Sequence, residues 1–327
     1  MSRSLAVRDE RWPLAGAFVI ARGAKTEAHV IVVELSEAGA IGRGEAVPYA
    51  RYGESVEGEL AKIEALRPAL EAGLTRQALQ DLIPAGAARN AVDCALWDLE
   101  AKLSGVPAWR AAGRARLDPV KTCYTISLDT PQAMAEAARP LARRPFLKLK
   151  IGGPGDLDRV AAVRAVAPKT RLIVDGNEGL SFDDLVRLAP EFARLDVKMI
   201  EQPLKAGEDA ALEGWASPVT LCADESLHTR QELAACARRY GAINVKLDKA
   251  GGLTEALAVV DEARRLGLEL MAGCMVATSL AMAPAMIVAQ GAEVADLDGP
   301  LLLARDREPG LVFDGSLIFP PPPELWG

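Results

Sequence analysis
Between Thr125 and Asp298 the chain repeats a short apolar run that closes on an acid, a lysine or a small polar residue. The closing residues are Thr125, Lys150, Asp175, Glu201, Asp224, Lys246, Cys274 and Asp296, within YTISL, FLKLKIG, LIVDGN, KMIEQP, LCADES, INVKLDK, LMAGCM and EVADLDG. Their spacing of 22 to 28 residues suits one strand plus one helix of a (β/α)8 barrel, whose parallel strands carry functional groups at their C-terminal ends. The pattern predicts an α/β fold with eight polar groups gathered on one face of one barrel.

Residues 1–115 lack this rhythm. AHVIVVEL (28–35) and the following GAIGRGEAVPYARYGES read as hairpin strands and then an open loop. Residues 57–71 and 87–103 carry helical periodicity. The second of these has an apolar stripe through Val92, Leu96, Leu99 and Leu103 and stops at Gly105-Val106-Pro107. The expected organisation is an α+β capping module with lid loops over 1–115, a barrel over 116–299, and a tail over 300–327 that packs back on the module.

Composition narrows the setting. The 327 residues accommodate a barrel of roughly 250 residues plus a smaller unit. A net charge of −7 without a basic run gives no support to a nucleic-acid partner or an anionic membrane surface. No segment approaches the ~20 apolar residues of a membrane span, and the opening MSRSLAVRDERWPL has no signal-peptide core. Five cysteines without CxxC pairs read as free thiols, with Cys94, Cys123 and Cys222 in apolar segments. That usage points to a reducing, cytoplasmic setting. Association into a homo-oligomer is left open.

The chemistry starts with three acids. Asp175, Glu201 and Asp224 would end three consecutive strands, so their carboxylates can converge. One such acid is ordinarily a helix N-cap; three in succession suit Mg2+, which takes oxygen ligands and keeps open positions. Lys148 and Lys150, two apart, share one face of a strand. Lys246 would face them from the sixth strand. Mutual repulsion and a nearby cation are expected to lower such amines from an ordinary pKa of ~10.4 towards neutrality. Two lysines facing one another over a metal can take a proton from one side of a carbon and return it on the other.

These residues resemble the enolase superfamily. KLK (148–150), DGN (175–177), EQP (201–203), DES (224–226) and KLDK (246–249) fall in its order and spacing. Within it the chain is most similar to the L-Ala-D/L-Glu epimerases. That likeness runs almost end to end, through FVIARG (18–23), PYARYGES (48–55), PAGAARNAVDCALWDLE (84–100), INVKLDKAGGLTEALA (243–258), GCMVATSLA (273–281) and ADLDGP (295–300). A lysine or histidine base working with Mg2+ is a habit of that superfamily.

The resemblance implies Asp175, Glu201 and Asp224 as Mg2+ ligands, and Lys150 and Lys246 as acid/base residues, each serving one stereoisomer. Lys148 would hold the substrate carboxylate, and Asn177, Glu225 and Asp248 would orient the ligands or a lysine. Loss of a Cα proton next to a carboxylate builds two negative oxygens, which Mg2+ and Lys148 would stabilise beyond the ground state.

Substrate preference rests on fewer residues. Asp296 and Asp298, two apart and pointing one way, suit a cation, which the resemblance makes the dipeptide ammonium. Arg22, in a loop over the barrel mouth, suits the carboxylate of a C-terminal glutamate through a bidentate pair. The resemblance also puts Thr125 and Cys274 in substrate contact, and Tyr52 is read as part of the lid. His29 and His228 lack the spacing of a barrel-end base and read as structural. The expectation is a Mg2+-dependent dipeptide epimerase working in murein peptide turnover. Its rivals are an epimerase of another dipeptide, a muconate cycloisomerase or o-succinylbenzoate synthase of the same superfamily, and a peptide-binding barrel without catalysis.

Overall fold
A computed structural model describes residues 3–327; Met1 and Ser2, at the start of the expected capping module, lie outside it. Three long strands open the chain: β1 (Ser4–Ile20), β2 (Gly23–Glu37) and β3 (Ala40–Ala46). They form an antiparallel sheet in the order β1-β2-β3. The centre of β2 is buried on both faces. Ala28, Val30 and Val32 join the core shared with the barrel, while Ile31, Val33 and Leu35 pack against the helices of the same unit. Alternation along a strand divides the two sets.

The helices of this unit are α1 (Val56–Ala65), α2 (Arg67–Glu71), α3 (Arg76–Leu82), α4 (Ala87–Ser104) and α5 (Ala108–Ala111). Residues 57–71 are thus two helices, not one. They part at Leu66, and Pro68 sits in the first turn of α2, where a missing N–H costs nothing. The α4 surface also departs from the expected single stripe. It is buried on almost every side, while Leu103 stays 43% exposed. The cause is a double contact. Gly42 and Gly44 bring β3 against one side, and Asp93 and Trp97 hydrogen-bond to Thr254 of the barrel on another.

After β4 (Val120–Lys121) the barrel runs through β5 (Tyr124–Ile126), α6 (Pro131–Ala138), β6 (Phe146–Lys150), α7 (Asp156–Val166), β7 (Arg171–Asp175), α8 (Phe182–Arg194) and β8 (Val197–Glu201). It continues through β9 (Thr220–Ala223), α9 (Arg230–Cys236), β10 (Ala242–Val245), α10 (Leu247–Ala250), α11 (Leu253–Arg265), β11 (Glu269–Gly273), α12 (Ser279–Ala289) and β12 (Val294–Asp296). The eight strands β5 to β12 pair in sequence order, each parallel to the next. A parallel bridge between Thr122 and Ala295 brings the ends of the ring together.

The tail forms β13 (Phe313–Asp314) and β14 (Leu317–Ile318), a hairpin that adds to β4. It also reaches the first unit. Leu303 bridges to Leu14, Arg307 pairs with Glu10 and with buried Glu45, and Trp326 Nε1 donates to Cys94 O. Among the described residues no helix is long and apolar enough to cross a membrane.

Candidate active site
Strand alternation builds the barrel interior in layers. Cys123, Phe146, Ile173, Met199, Cys222, Ala242, Met271 and Val294 form an apolar plug. Two residues further along each strand, a period of two returns the chain to the same side. Those positions are Thr125, Lys148, Asp175, Glu201, Asp224, Asn244, Gly273 and Asp296. Another step up, Lys150 on β6 and Lys246 just past β10 face the cavity from opposite sides of the ring.

The charges in this layer are closely matched. Lys148 Nζ lies 3.0 Å from Asp175, 2.7 Å from Glu201 and 2.8 Å from Asp296. Lys150 Nζ is 2.6 Å from Asp175, and Lys246 Nζ is 2.6 Å from Asp224. At Lys148 and Lys246 the neighbouring carboxylates act against the expected fall in lysine pKa. Burial does act to strip Lys148 of its proton, but Asp175, Asp296 and Glu201 outweigh it and hold the ammonium well above its ordinary range. Lys246 is likewise raised, burial being outweighed mainly by Asp224. Against their own burial, Asp175 and Asp224 are held below the carboxylate range by the surrounding lysines. Glu201 is pushed up to about 7 by burial and by the charge of Asp175.

Three further residues hold this layer, none of them assigned a role from the sequence. Asn244 Nδ2 donates to Glu201 Oε1 at 2.8 Å. Gly273 makes room for it, since a Cβ there would fall 2.4 Å from Asn244 Oδ1. Gln202 Oε1 accepts from the backbone N–H groups of Asp224 and Ser226 at 2.8 and 3.0 Å. Lys249, almost wholly buried, places Nζ 2.7 Å from Asp224 Oδ1 and also donates to Asp224 O. Gln202 and Lys249 fall within EQP and KLDK, and Asn244 lies two residues before Lys246 on one strand and so shares its face.

Above the layer a cavity of about 350 Å³ is lined by both opposed lysines, Lys148, Thr125, Asn177, Asp224, Glu225, Cys274, Asp296, Asp298, Arg22 and Tyr52, among others. Asp298 Oδ2 accepts from Thr125 N at 2.6 Å, and burial beside Asp296 pushes its carboxyl up to about 7. Asn177 N is held by Asp175 Oδ1 at 2.9 Å. Tyr52 packs edge-on against His228, ring centroids 4.4 Å apart, and His29 pairs with Asp9.

Two placements depart from the expected arrangement. Arg22 does reach the mouth, but its fork is already engaged. Nη1 donates to Asn177 O and Glu178 Oε2, and Nη2 to Tyr49 OH and Glu225 Oε1. That leaves one of its five N–H donors, Nε–H, for a ligand, so a bidentate grip requires displacing a protein partner. Asp248 is not in the cavity lining. Its Oδ1 accepts from Val47 N at 2.9 Å and Asn90 Nδ2 at 3.0 Å, joining the barrel to the first unit. Lys25 was passed over, yet it lines the mouth, stands 4.7 Å over the Tyr49 ring and has no acid among its ion-pair partners in the described residues.

Residues 2–113 match the family described as mandelate racemase / muconate lactonizing enzyme, N-terminal domain, and residues 132–318 match the enolase C-terminal domain-like family. The chain belongs to the enolase superfamily. It is 48% identical over 313 residues to the L-Ala-D/L-Glu epimerase of Escherichia coli K12, covering 95% of this chain and 98% of that one. It is 42% identical over 302 residues to an N-acetyl-D-glutamate racemase of a Pseudoalteromonas species, covering 91% and 95%. Among solved structures, an enolase family member from Agrobacterium tumefaciens superposes with a TM-score of 0.98 at 53% identity, covering 99% and 100% of the two chains. That protein is described as homologous to dipeptide epimerases and carries sodium and L-Ala-L-Glu with an ordered loop. A dipeptide epimerase of Enterococcus faecalis, complexed with Mg and L-Leu-L-Tyr, superposes at 0.90 with 28% identity, covering 98% of each chain.

Its relatives within the superfamily are epimerases and racemases, which makes the protein an isomerase of that kind and raises the question of its metal. Among the described residues no three acid, histidine or cysteine side chains stand in a ready-made metal cluster, because lysine ammonium groups lie between the carboxylates. The donor set itself suits a hard cation. Three carboxylates are buried, and Glu201 Oε2 and Asp224 Oδ1 accept no well-aligned hydrogen bond, although a lysine ammonium stands 2.7 Å from each.

Proposed function
We propose that the protein is a Mg2+-dependent dipeptide epimerase, inverting the Cα of the C-terminal residue of L-Ala-Glu-like dipeptides in murein peptide turnover. One observation carries the reading: two buried lysines, Lys150 and Lys246, face a single cavity from opposite sides of the barrel, with buried carboxylates beneath them. Asp175, Glu201 and Asp224 would hold the metal. When bound, it would supply positive charge that polarises the substrate carboxylate and competes with the lysines for these acids. Lys150 and Lys246 then act as a pair: one removes the Cα proton, and the other, protonated, delivers one to the opposite face. Lys148 supports the substrate carboxylate as negative charge grows on it.

Asp296 and Asp298 would take the dipeptide ammonium. With Arg22 largely committed to protein partners, Lys25, which makes no ion pair among the described residues, is an available cation at the mouth, and the two together favour an anionic side chain such as glutamate. A second reading, racemisation of an N-acylated glutamate, has support from the Pseudoalteromonas relative. It would leave two acids facing a neutral amide.

The test is 1H NMR in D2O with Mg2+, offering L-Ala-L-Glu and N-acetyl-L-glutamate in parallel, with Lys150→Ala as control. Loss of the glutamate Cα signal and growth of the L,D diastereomer, both stopped by chelator, is the expected result. Turnover of the acetylated compound alone would replace the dipeptide reading with the second.

A further inference from the structure
Glu178 follows DGN directly, and none of the roles above uses it. Its side chain is only 5% exposed and takes four donors. Arg51 Nε and Nη2 give a two-pronged pair at 2.8 and 2.7 Å, Arg22 Nη1 donates at 2.9 Å, and Ala206 N at 2.8 Å. Four donors fill the capacity of a carboxylate, and the forked pair with Arg51 is the directional kind.

The donors come from segments far apart in sequence. Arg22 lies in the turn between β1 and β2, Arg51 in the 3-10 turn Ala50–Tyr52 that carries Tyr52, and Ala206 in the loop after β8. The backbone beneath is unusual. Asn177 and Glu178 have φ of +41° and +67°, a left-handed region that costs any residue with a Cβ. It is held by Glu178 N donating to Gln202 O at 2.9 Å. Strain of this kind persists where surrounding contacts over-determine it, and clusters at clamps and active sites. Here it places one buried carboxylate where two loops of the cavity roof can reach it.

We propose that Glu178 is a positioning residue that fastens both roof loops, through Arg22 and Arg51, to the loops after β7 and β8, and so sets how firmly the cavity closes on its dipeptide. The dipeptide is taken from the function proposed above; the fastening is independent of it. An acid at this place also gives Arg22 its fixed orientation, so substrate affinity should depend on Glu178 without any contact between the two.

The test is Glu178→Gln, which keeps size but removes charge, read by amide hydrogen exchange of the Mg2+-loaded, substrate-free enzyme. Exchange over residues 14–25 and 48–56 should rise about tenfold or more together. KM for L-Ala-L-Glu should rise about tenfold, with a smaller fall in kcat. Arg51→Met should release 48–56 alone, and adding it to Glu178→Gln should loosen that segment no further. Wild-type protection of either loop in Glu178→Gln would overturn the proposal. A loss of Mg2+ affinity and melting temperature that accompanies loop exchange would also overturn it, by making the role a general one beside Asp175. If the wild-type enzyme turns over no dipeptide, the substrate reading fails while the exchange result still decides the latch.

Discussion
Lys150 and Lys246 stand at equivalent heights on opposite sides of the ring, so the roles proposed for them would separate by face. Replacing Lys246 with Ala should abolish formation of the other diastereomer, with a loss of about 10³-fold or more. The remaining lysine should still wash deuterium into the Cα of the isomer it faces, so exchange without epimerisation is the expected NMR signature. Exchange lost for both isomers would mean that the two lysines do not act independently. Gly273 allows a second residue-scale prediction. A methyl group there meets Asn244 at 2.4 Å and pushes it from Glu201. Gly273→Ala should cost about 1–3 kcal/mol by urea unfolding and weaken Mg2+ binding measured by calorimetry.

Much of this layer was legible from alternation alone, because a strand residue shares its face with the one two places on. That logic places the acids, lysines and Asp296 correctly around one barrel end. It could not show that Gln202 turns its amide onto the backbone of Asp224, or that Arg22 is already held by Glu225. Those contacts depend on loop backbones with positive φ at Asn177, Glu178 and Gln202, which side-chain pattern does not encode. The carboxylates that stand within 3.0 Å of Lys148 and Lys246 also act to raise these two amines, a contribution that side-chain pattern does not weigh.

At the scale of elements, two glycines let β3 pack directly on the backbone of α4. A Cβ on Gly44 would lie 2.0 Å from Ala91 O, and one on Gly42 2.3 Å from Ala95 O, both backbone atoms. No rotamer change relieves such a clash. Gly44→Ala should therefore cost about 3 kcal/mol, whereas Gly153→Ala, which meets nothing within 4 Å, should stay within about 0.5 kcal/mol. Equal unfolding midpoints for the two variants would show that the sheet and helix can part without penalty. Sequence periodicity located α4 to within a residue at its C-terminal end, where Gly105 takes a left-handed φ of 69°. It underrated its burial, since a helix packed on two sides no longer shows one clean stripe.

For the whole molecule, Asp248 couples the two units and makes their union sensitive to pH. Burial pushes its carboxyl from 3.8 up to about 7, against hydrogen bonds from Val47 N–H and Asn90 that act to lower it. The folded protein therefore binds this proton more tightly than the unfolded chain. Its contribution is fullest in acid and is lost as pH rises through about 7. Asp248→Asn keeps an oxygen for both donors and removes the ionisation. Relative to wild type, the variant should gain about 2 kcal/mol between pH 5 and pH 8, read from unfolding curves at each pH. A constant difference across that range would show that Asp248 does not titrate there.

The tail that touches the first unit also sets an order of events during synthesis. The groove beside Cys94 that receives Trp326 is made of residues translated 232 positions earlier. At about 5–20 residues per second, it waits roughly 10 to 50 s for its filling. Glu45, fully buried once Arg307 arrives, waits a comparable time with its charge unmatched by that partner. The unit made before the barrel is among the last to be sealed, and a nascent chain halted before residue 303 would emerge with that unit still open.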